Sequence, residues 1–190
     1  MSLQLGHKLS LEEMIEGCKR GNRKSQELLY KSFASKMLTV CARYAKDNFE
    51  AEDILQVAFV KIFEKIKDFK GDGSFEGWVR RIMVNTSIEF YRKNSRMLAV
   101  VDIDHAPETP VQENQLSKIN MADLLRIVQS LSPGYRMIFN MYAIEGYSHK
   151  EIAEELGISE GTSKSQLARA RAILQENIKK MEGNNNEALR

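Results

Sequence analysis

The sequence predicts an all-α fold: two small helical domains joined by a flexible acidic linker. Three observations lead there. No stretch alternates apolar and polar residues with the period of two that a half-buried strand requires. Apolar residues recur instead at three- and four-residue spacing through most of the 190-residue chain. The three prolines stand at 107, 110 and 133, so the long periodic runs are free of helix breakers.

The elements follow in order. Ser10 and Glu13 have the S-x-x-E spacing of a capping box, opening a helix that runs to about Lys19 and is broken by Gly21. A second helix covers residues 25–46. Asp47 or Asn48 caps a third, running to about Lys67, with Glu50, Glu52 and Asp53 placed against the positive end of its dipole. Residues 70–74 form a glycine-containing loop, and a fourth helix covers 75–94. Residues 97–108 lack periodicity, contain a proline and are acidic, which reads as a linker. Thr109-Pro110 then opens a helix, Thr as cap and Pro in the first helical position; Ser132-Pro133 repeats the device, and Gly146 ends that helix. The expected boundaries are a first domain over 1–96, a linker over 97–109, a second domain over 110–182 and a disordered tail over 183–190.

Residues 148–174 carry the sharpest local signal. Ser148 and Glu151 form a second capping box, Ile152, Ala153 and Leu156 make an apolar stripe, and Gly157 stands where the helix must stop and reverse. Ile158 plugs the turn and Ser159 caps the next helix, whose Leu167, Ala170 and Leu174 continue the buried face. Lys164, Gln166, Arg169 and Arg171 fall largely outside that face. A short helix, a glycine turn and a basic second helix match a helix-turn-helix that lays its second helix in the major groove. An ordinary helical hairpin with a solvated face is the alternative.

Net charge is only +2, so a nucleic-acid surface must come from segregation of charge. Residues 70–96 hold six basic against three acidic side chains, and residues 161–180 hold five against one; between them, residues 97–120 hold one against four. Cys18 and Cys41 have neither zinc-ligand spacing nor a second pair, and His7, His105 and His149 read as scattered surface residues. No clustered nucleophile, base or metal set and no GxxxxGK[ST] motif occurs, which points away from an enzyme, a small-molecule substrate or a cofactor. No apolar run approaches membrane-spanning length, and the N-terminus lacks a signal-peptide core, so a reduced cytoplasmic protein is expected.

Two helix faces exceed what packing needs. On the third helix Ile54, Leu55, Ala58, Phe59, Ile62 and Ile66 form the buried side, yet Val57 and Val60 lie opposite it beside Asp53, Gln56 and Glu64. A mixed acidic and apolar outer face suits protein docking, and two stray surface valines are the plain alternative. On the fourth helix Arg81, Asn85, Ile88 and Arg92 line up as an outward stripe flanked by Arg80, Val84 and Tyr91. Arg contacts phosphate, Asn reads base edges and Tyr stacks. The preceding loop, with Lys70, Asp72 and Ser74 amid Phe69, Phe75 and Trp78, could hold an unstacked base, although a lone Trp is more often core.

These residues together resemble the sigma factors of bacterial RNA polymerase, in particular the extracytoplasmic-function (ECF) class, over residues 11–181. AEDILQVAFVKIFEKI (51–66) is similar to the helix that grips the polymerase clamp. GSFEGWVRRIMVNTSIEFYRK (73–93) is similar to the segment that melts and reads the downstream promoter element. YSHKEIAEELGISEGTSKSQLARAR (147–171) is similar to the reader of the upstream element. The resemblance implies a region 2-like bundle and a region 4-like helix-turn-helix domain, a monomer when free, with core RNA polymerase and promoter DNA as partners. Similar factors are often held inactive by an anti-sigma factor, so the resemblance admits that partner too. It implies clamp contact by Asp53 and Gln56, with Val57 where an acid is common. It further implies base contact by Asn85, backbone contact by Arg80, Arg81 and Arg92, and a base-holding loop at 70–77. On the recognition helix it implicates Thr162, Lys164, Ser165, Gln166 and Arg169. Ser163 replaces a commoner aliphatic residue, implying looser helix packing, and Gln166 replaces a commoner Arg. An autonomous DNA-binding regulator remains the rival, but it leaves the outer face around Asp53 without a use.

Overall fold

The computed structural model describes residues 9–98 and 121–187. These residues form α1 (Leu11–Lys19), α2 (Arg23–Ala42), α3 (Asn48–Lys65) with a 3₁₀ turn at Ile66–Asp68, and α4 (Phe75–Leu98). Then come α5 (Met121–Gln129), α6 (Pro133–Phe139) running into a π turn at Asn140–Ile144, α7 (His149–Leu156) and α8 (Glu160–Glu187). No strand occurs among the described residues, in line with the predicted class. The linker residues 99–109 and the expected helix from 110 lie outside the described residues.

The helices group into two compact units that do not follow chain order. The first takes Met1–Cys41 and Glu52–Thr86; the second takes Ala42–Ala51 and Ser87–Arg190.

In the first unit, α1 starts at a complete capping box: Ser10 Oγ accepts the Glu13 amide at 3.2 Å while Glu13 Oε2 accepts the Ser10 amide at 2.7 Å. Gly17 lets α2 approach, because a Cβ there would sit 2.6 Å from Ser25 Cβ. Leu29, Met37, Ile54, Ile62, Ile66, Val79 and Met83 are all under 2% exposed, each worth about 1.5–3 kcal/mol of burial. Phe69, Phe75 and Trp78 pack on one another with ring centroids 5.1–5.6 Å apart, and Phe33 meets Phe75 edge-on at 5.7 Å. That cluster anchors both ends of the 70–74 loop.

In the second unit the polar ends of helices are satisfied by side chains. Helix α2 stops at Ala42, four residues before the expected Lys46. The Ala42 carbonyl accepts from Gln129 Nε2 at 3.0 Å and the Arg43 carbonyl from Asn140 Nδ2 at 2.7 Å. Those bonds take carbonyls that further helix would have used. Asp47 caps α3, its Oδ1 accepting the Glu50 amide at 2.8 Å. The core of this unit joins Ile127, Leu131, Ala170 and Leu174, flanked by Tyr135, Phe139 and Ile173.

Two boundaries move outward. Helix α4 runs to Leu98, past the expected end at Asn94, and α8 runs to Glu187 where a disordered tail was expected from residue 183. No proline follows residue 133, and Gly183 alone costs only about 1 kcal/mol, so α8 propagates through it. Among the described residues no helix is long and apolar enough to cross a membrane.

Candidate nucleic-acid and protein-docking surfaces

Helix α3 has the two faces its sequence predicts. Ile54, Leu55, Ala58, Phe59 and Ile62 are buried. Asp53, Gln56, Val57, Val60 and Glu64 are exposed, Val60 by 56% and Val57 by 39%. An apolar pair left in water on a helix whose other side is fully engaged is a cost that monomer packing does not relieve. Phe49, 82% exposed at the helix start, was not anticipated; its signal was an aromatic four residues before Asp53.

Helix α4 requires a correction. Arg81, Asn85 and Arg92 are exposed as expected, but Ile88 is buried at 3%, and so is its neighbour Val84. The residue completing the outward stripe is Glu89, exposed at the 81–85–89–92 spacing. A one-sided wheel failed here because α4 is buried over a wide arc. Val79, Met83, Val84, Thr86, Ser87 and Ile88 are all under 4% exposed, more than a single neighbour covers. Ile88 is therefore a core residue and not a DNA contact. Arg80 and Tyr91 are half-buried, and burial pushes the Tyr91 hydroxyl pKa above its ordinary value. Arg92 Nη1 stands 3.8 Å from Glu155 Oε2, both side chains about half exposed.

Lys70, Asp72 and Ser74 in the loop before α4 are exposed. Ser74 is engaged locally: its Oγ accepts the Gly77 amide at 3.0 Å, capping α4. Trp78 is half-buried in the aromatic cluster, which assigns it mainly to packing.

The helix-turn-helix is built as predicted. Ser148 Oγ accepts the Glu151 amide at 3.2 Å, and Glu151 Oε2 accepts the Ser148 amide at 2.7 Å. The Ser148 amide and then its hydroxyl, which donates to the same Oε2 at 2.8 Å, hold the Glu151 carboxyl below the usual range. Gly157 ends α7 in the left-handed conformation, φ 68°, with its amide on the Ala153 carbonyl. Ser159 Oγ accepts the Thr162 amide at 2.9 Å and so starts α8. Along α8, Lys164, Ser165 and Arg171 are exposed, while Thr162, Gln166 and Arg169 are half-buried. Lys164 lies 3.7 Å from Glu160, an exposed pair worth little. The tips of Gln166 and Tyr91 converge on Gly134, where a Cβ would meet each at 3.4 Å.

One expectation fails at this motif. His149 is not a free surface residue: its Nδ1 lies 2.9 Å from Ser163 Oγ, and its ring stacks on Tyr142 at 4.5 Å. Ser163, where the resemblance favours an aliphatic residue, is fully buried and bonded to that ring. The available signal was Ser163 itself, a polar residue in the apolar row 163–167–170–174.

Comparison with known proteins places these surfaces in context. The family model described as Sigma-70 region 2 matches residues 29–97, and that described as Sigma-70 region 4 matches residues 121–174; together they span more than half of the chain. The ECF RNA polymerase sigma factor SigE of Mycolicibacterium smegmatis is 29% identical over 82% of this chain, and the chain spans only 62% of that relative's length. The ECF RNA polymerase sigma-E factor of Escherichia coli K12 is 25% identical, with 92% of this chain and 97% of the relative aligned. Among solved structures, the sigma factor RpoE in complex with the anti-sigma factor NepR from Bartonella quintana superposes with a TM-score of 0.48. Its identity is 22%, covering 80% of this chain and 96% of that one.

Proposed function

The chain belongs to the sigma-70 family as an ECF sigma factor, and from that premise we propose that it binds core RNA polymerase and directs it to promoters carrying two separate recognition elements. Sigma factors are non-enzymatic initiation factors, and this chain's own residues supply contacts and not chemistry. Asp53, Gln56, Val57, Val60 and Glu64 form the polymerase-facing side of α3. Val57 and Val60 make that contact more apolar than an all-acidic face would be. Arg81 and Arg92 hold backbone phosphates of the downstream element while Asn85 reaches bases. The loop carrying Lys70, Asp72 and Ser74 receives an unstacked base beside the Phe69–Phe75–Trp78 cluster, and that capture assists melting. Lys164, Ser165, Gln166 and Arg169 read the upstream element. Its partners are core polymerase, promoter DNA and an anti-sigma factor, with no small-molecule substrate, and in the cytoplasm it is a monomer when free.

The observation that carries this reading is α3. Its outer residues are all exposed on a helix whose opposite face is buried, and an autonomous DNA-binding regulator has no use for such a face. The test is twofold: affinity purification of the tagged chain, and sequencing of transcript 5′ ends after its overproduction. Core polymerase subunits should co-purify, and the new start sites should share two spaced elements. DNA binding without polymerase, centred on a palindrome, would instead establish the regulator.

A further inference from the structure

His149, the first residue of α7, and Ser163, a polar residue on the buried side of α8, are tied together. His149 Nδ1 lies 2.9 Å from Ser163 Oγ, and Ser163 has no exposed surface. The His149 ring is stacked on Tyr142 of the π turn, centroids 4.5 Å apart and planes 24° from parallel. The Arg171 guanidinium carbon lies 5.6 Å from the centroid of that same Tyr142 ring. A closed circuit results, from α8 through Ser163 to α7, through the stack to the π turn, and through Arg171 back to α8.

The circuit answers a requirement and adds a constraint. A buried hydroxyl without a partner is costly, and Ser163 Oγ finds its partner in the His149 ring at 2.9 Å. His149 meets the requirement from outside the helix. An apolar contact between two helices tolerates small rotations, whereas a directional bond into a close-packed site fixes one crossing. Ser163 lies between Thr162 and Lys164, one turn before Gln166 and two before Arg169, so its anchorage fixes the direction those side chains take.

We infer that His149 is a positioning residue for the recognition helix: its bond to Ser163, braced by Tyr142, sets how α8 presents Lys164, Gln166 and Arg169 to the upstream promoter element. The inference rests on the function proposed above. Charge around the ring agrees with it. Burial, first, and then Lys164 and Arg171 hold the His149 pKa below its ordinary value, with Glu160 pulling the other way. A neutral ring with its proton on Nε2 accepts the Ser163 hydroxyl at Nδ1.

The experiment uses the full chain with core polymerase, on a promoter mapped from the transcripts and on the same promoter with its upstream element scrambled. His149→Phe keeps an aromatic ring for the stack and removes the nitrogen; Ser163→Ala removes the hydroxyl. Each should lower the intact-to-scrambled transcription ratio about five- to tenfold, and the double variant should fall no further than either single. Transcription from the scrambled template should stay at the wild-type level. His149→Phe with Ser163→Val, which refills the site with apolar atoms, should recover most of the ratio. Nitrogen NMR should find the wild-type ring in the Nε2-protonated tautomer, and Ser163→Ala should shift it. Hydrogen exchange in α8 separates positioning from folding: protection should persist while the ratio falls. Loss of protection in step with the ratio in every variant, or an unchanged ratio in His149→Phe, overturns the inference. A wild-type chain inactive on every template overturns the function beneath it instead.

Discussion

Replacing Gly157 with Ala isolates one physical quantity, the cost of turning the helix-turn-helix. Gly157 has φ 68° and ψ 37°, and a Cβ built there meets nothing within 4 Å. No clash enters, so the whole penalty is the left-handed backbone, about 1–2 kcal/mol for an L-residue with a Cβ. Stiffening of the unfolded chain by Ala returns a few tenths to 1 kcal/mol at compatible sites but does not offset an incompatible φ. The net expectation is destabilisation by about 1–2 kcal/mol, roughly a tenfold rise in the population of opened α7–α8. Gly157→Asn should cost about half as much, since Asn tolerates this conformation better. The single Trp78 lies in the other unit, so tryptophan fluorescence would miss the change. Amide hydrogen exchange is the assay, with α7 and α8 protection falling about tenfold in Ala and less in Asn. Unchanged protection in Ala, or equal losses in Ala and Asn, would refute the claim that backbone conformation alone makes Gly157 necessary.

Four further outcomes follow from the geometry. Arg81→Ala should weaken promoter complexes and reduce their salt slope by about one while leaving unfolding midpoints unmoved. Ile88→Ala, only seven residues along, should instead cost about 2–5 kcal/mol in urea unfolding, because Ile88 is 3% exposed. Val60→Glu should change stability by less than about 0.5 kcal/mol but reduce co-elution with core polymerase at least tenfold, read by size-exclusion chromatography. The thermal stability of the second unit should fall on acidification from neutral pH. His149 has a folded pKa below its unfolded one, so between them the unfolded chain binds more protons; stability falls as pH drops through the unfolded value and levels off below the folded one. His149→Phe should flatten that slope.

Local chemistry made much of this molecule legible from residues alone. The boxes at Ser10–Glu13 and Ser148–Glu151, the cap at Ser159 and the turn at Gly157 depend on residues within three or four positions, so spacing sufficed. The two faces of α3 were equally readable, because its buried residues keep to one side. Features set by distant partners were not readable. Ile88 and Val84 are buried because α4 is covered over a wide arc, which a wheel of one helix cannot register. Helix α2 ends at Ala42, where Gln129 and Asn140, some 90 residues on, reach the carbonyls of Ala42 and Arg43. The π turn at Asn140–Ile144 has no turn residue of its own, and the His149–Ser163 bond crosses the reversal between two helices.

Run-off transcription on a mapped promoter, with purified core polymerase and this chain as the only added factor, tests the central claim most directly. A discrete transcript from the mapped start, absent without the chain and lost when Asp53, Val57 and Val60 are replaced together by Lys, is the predicted result. Equal transcription with and without the chain would contradict it.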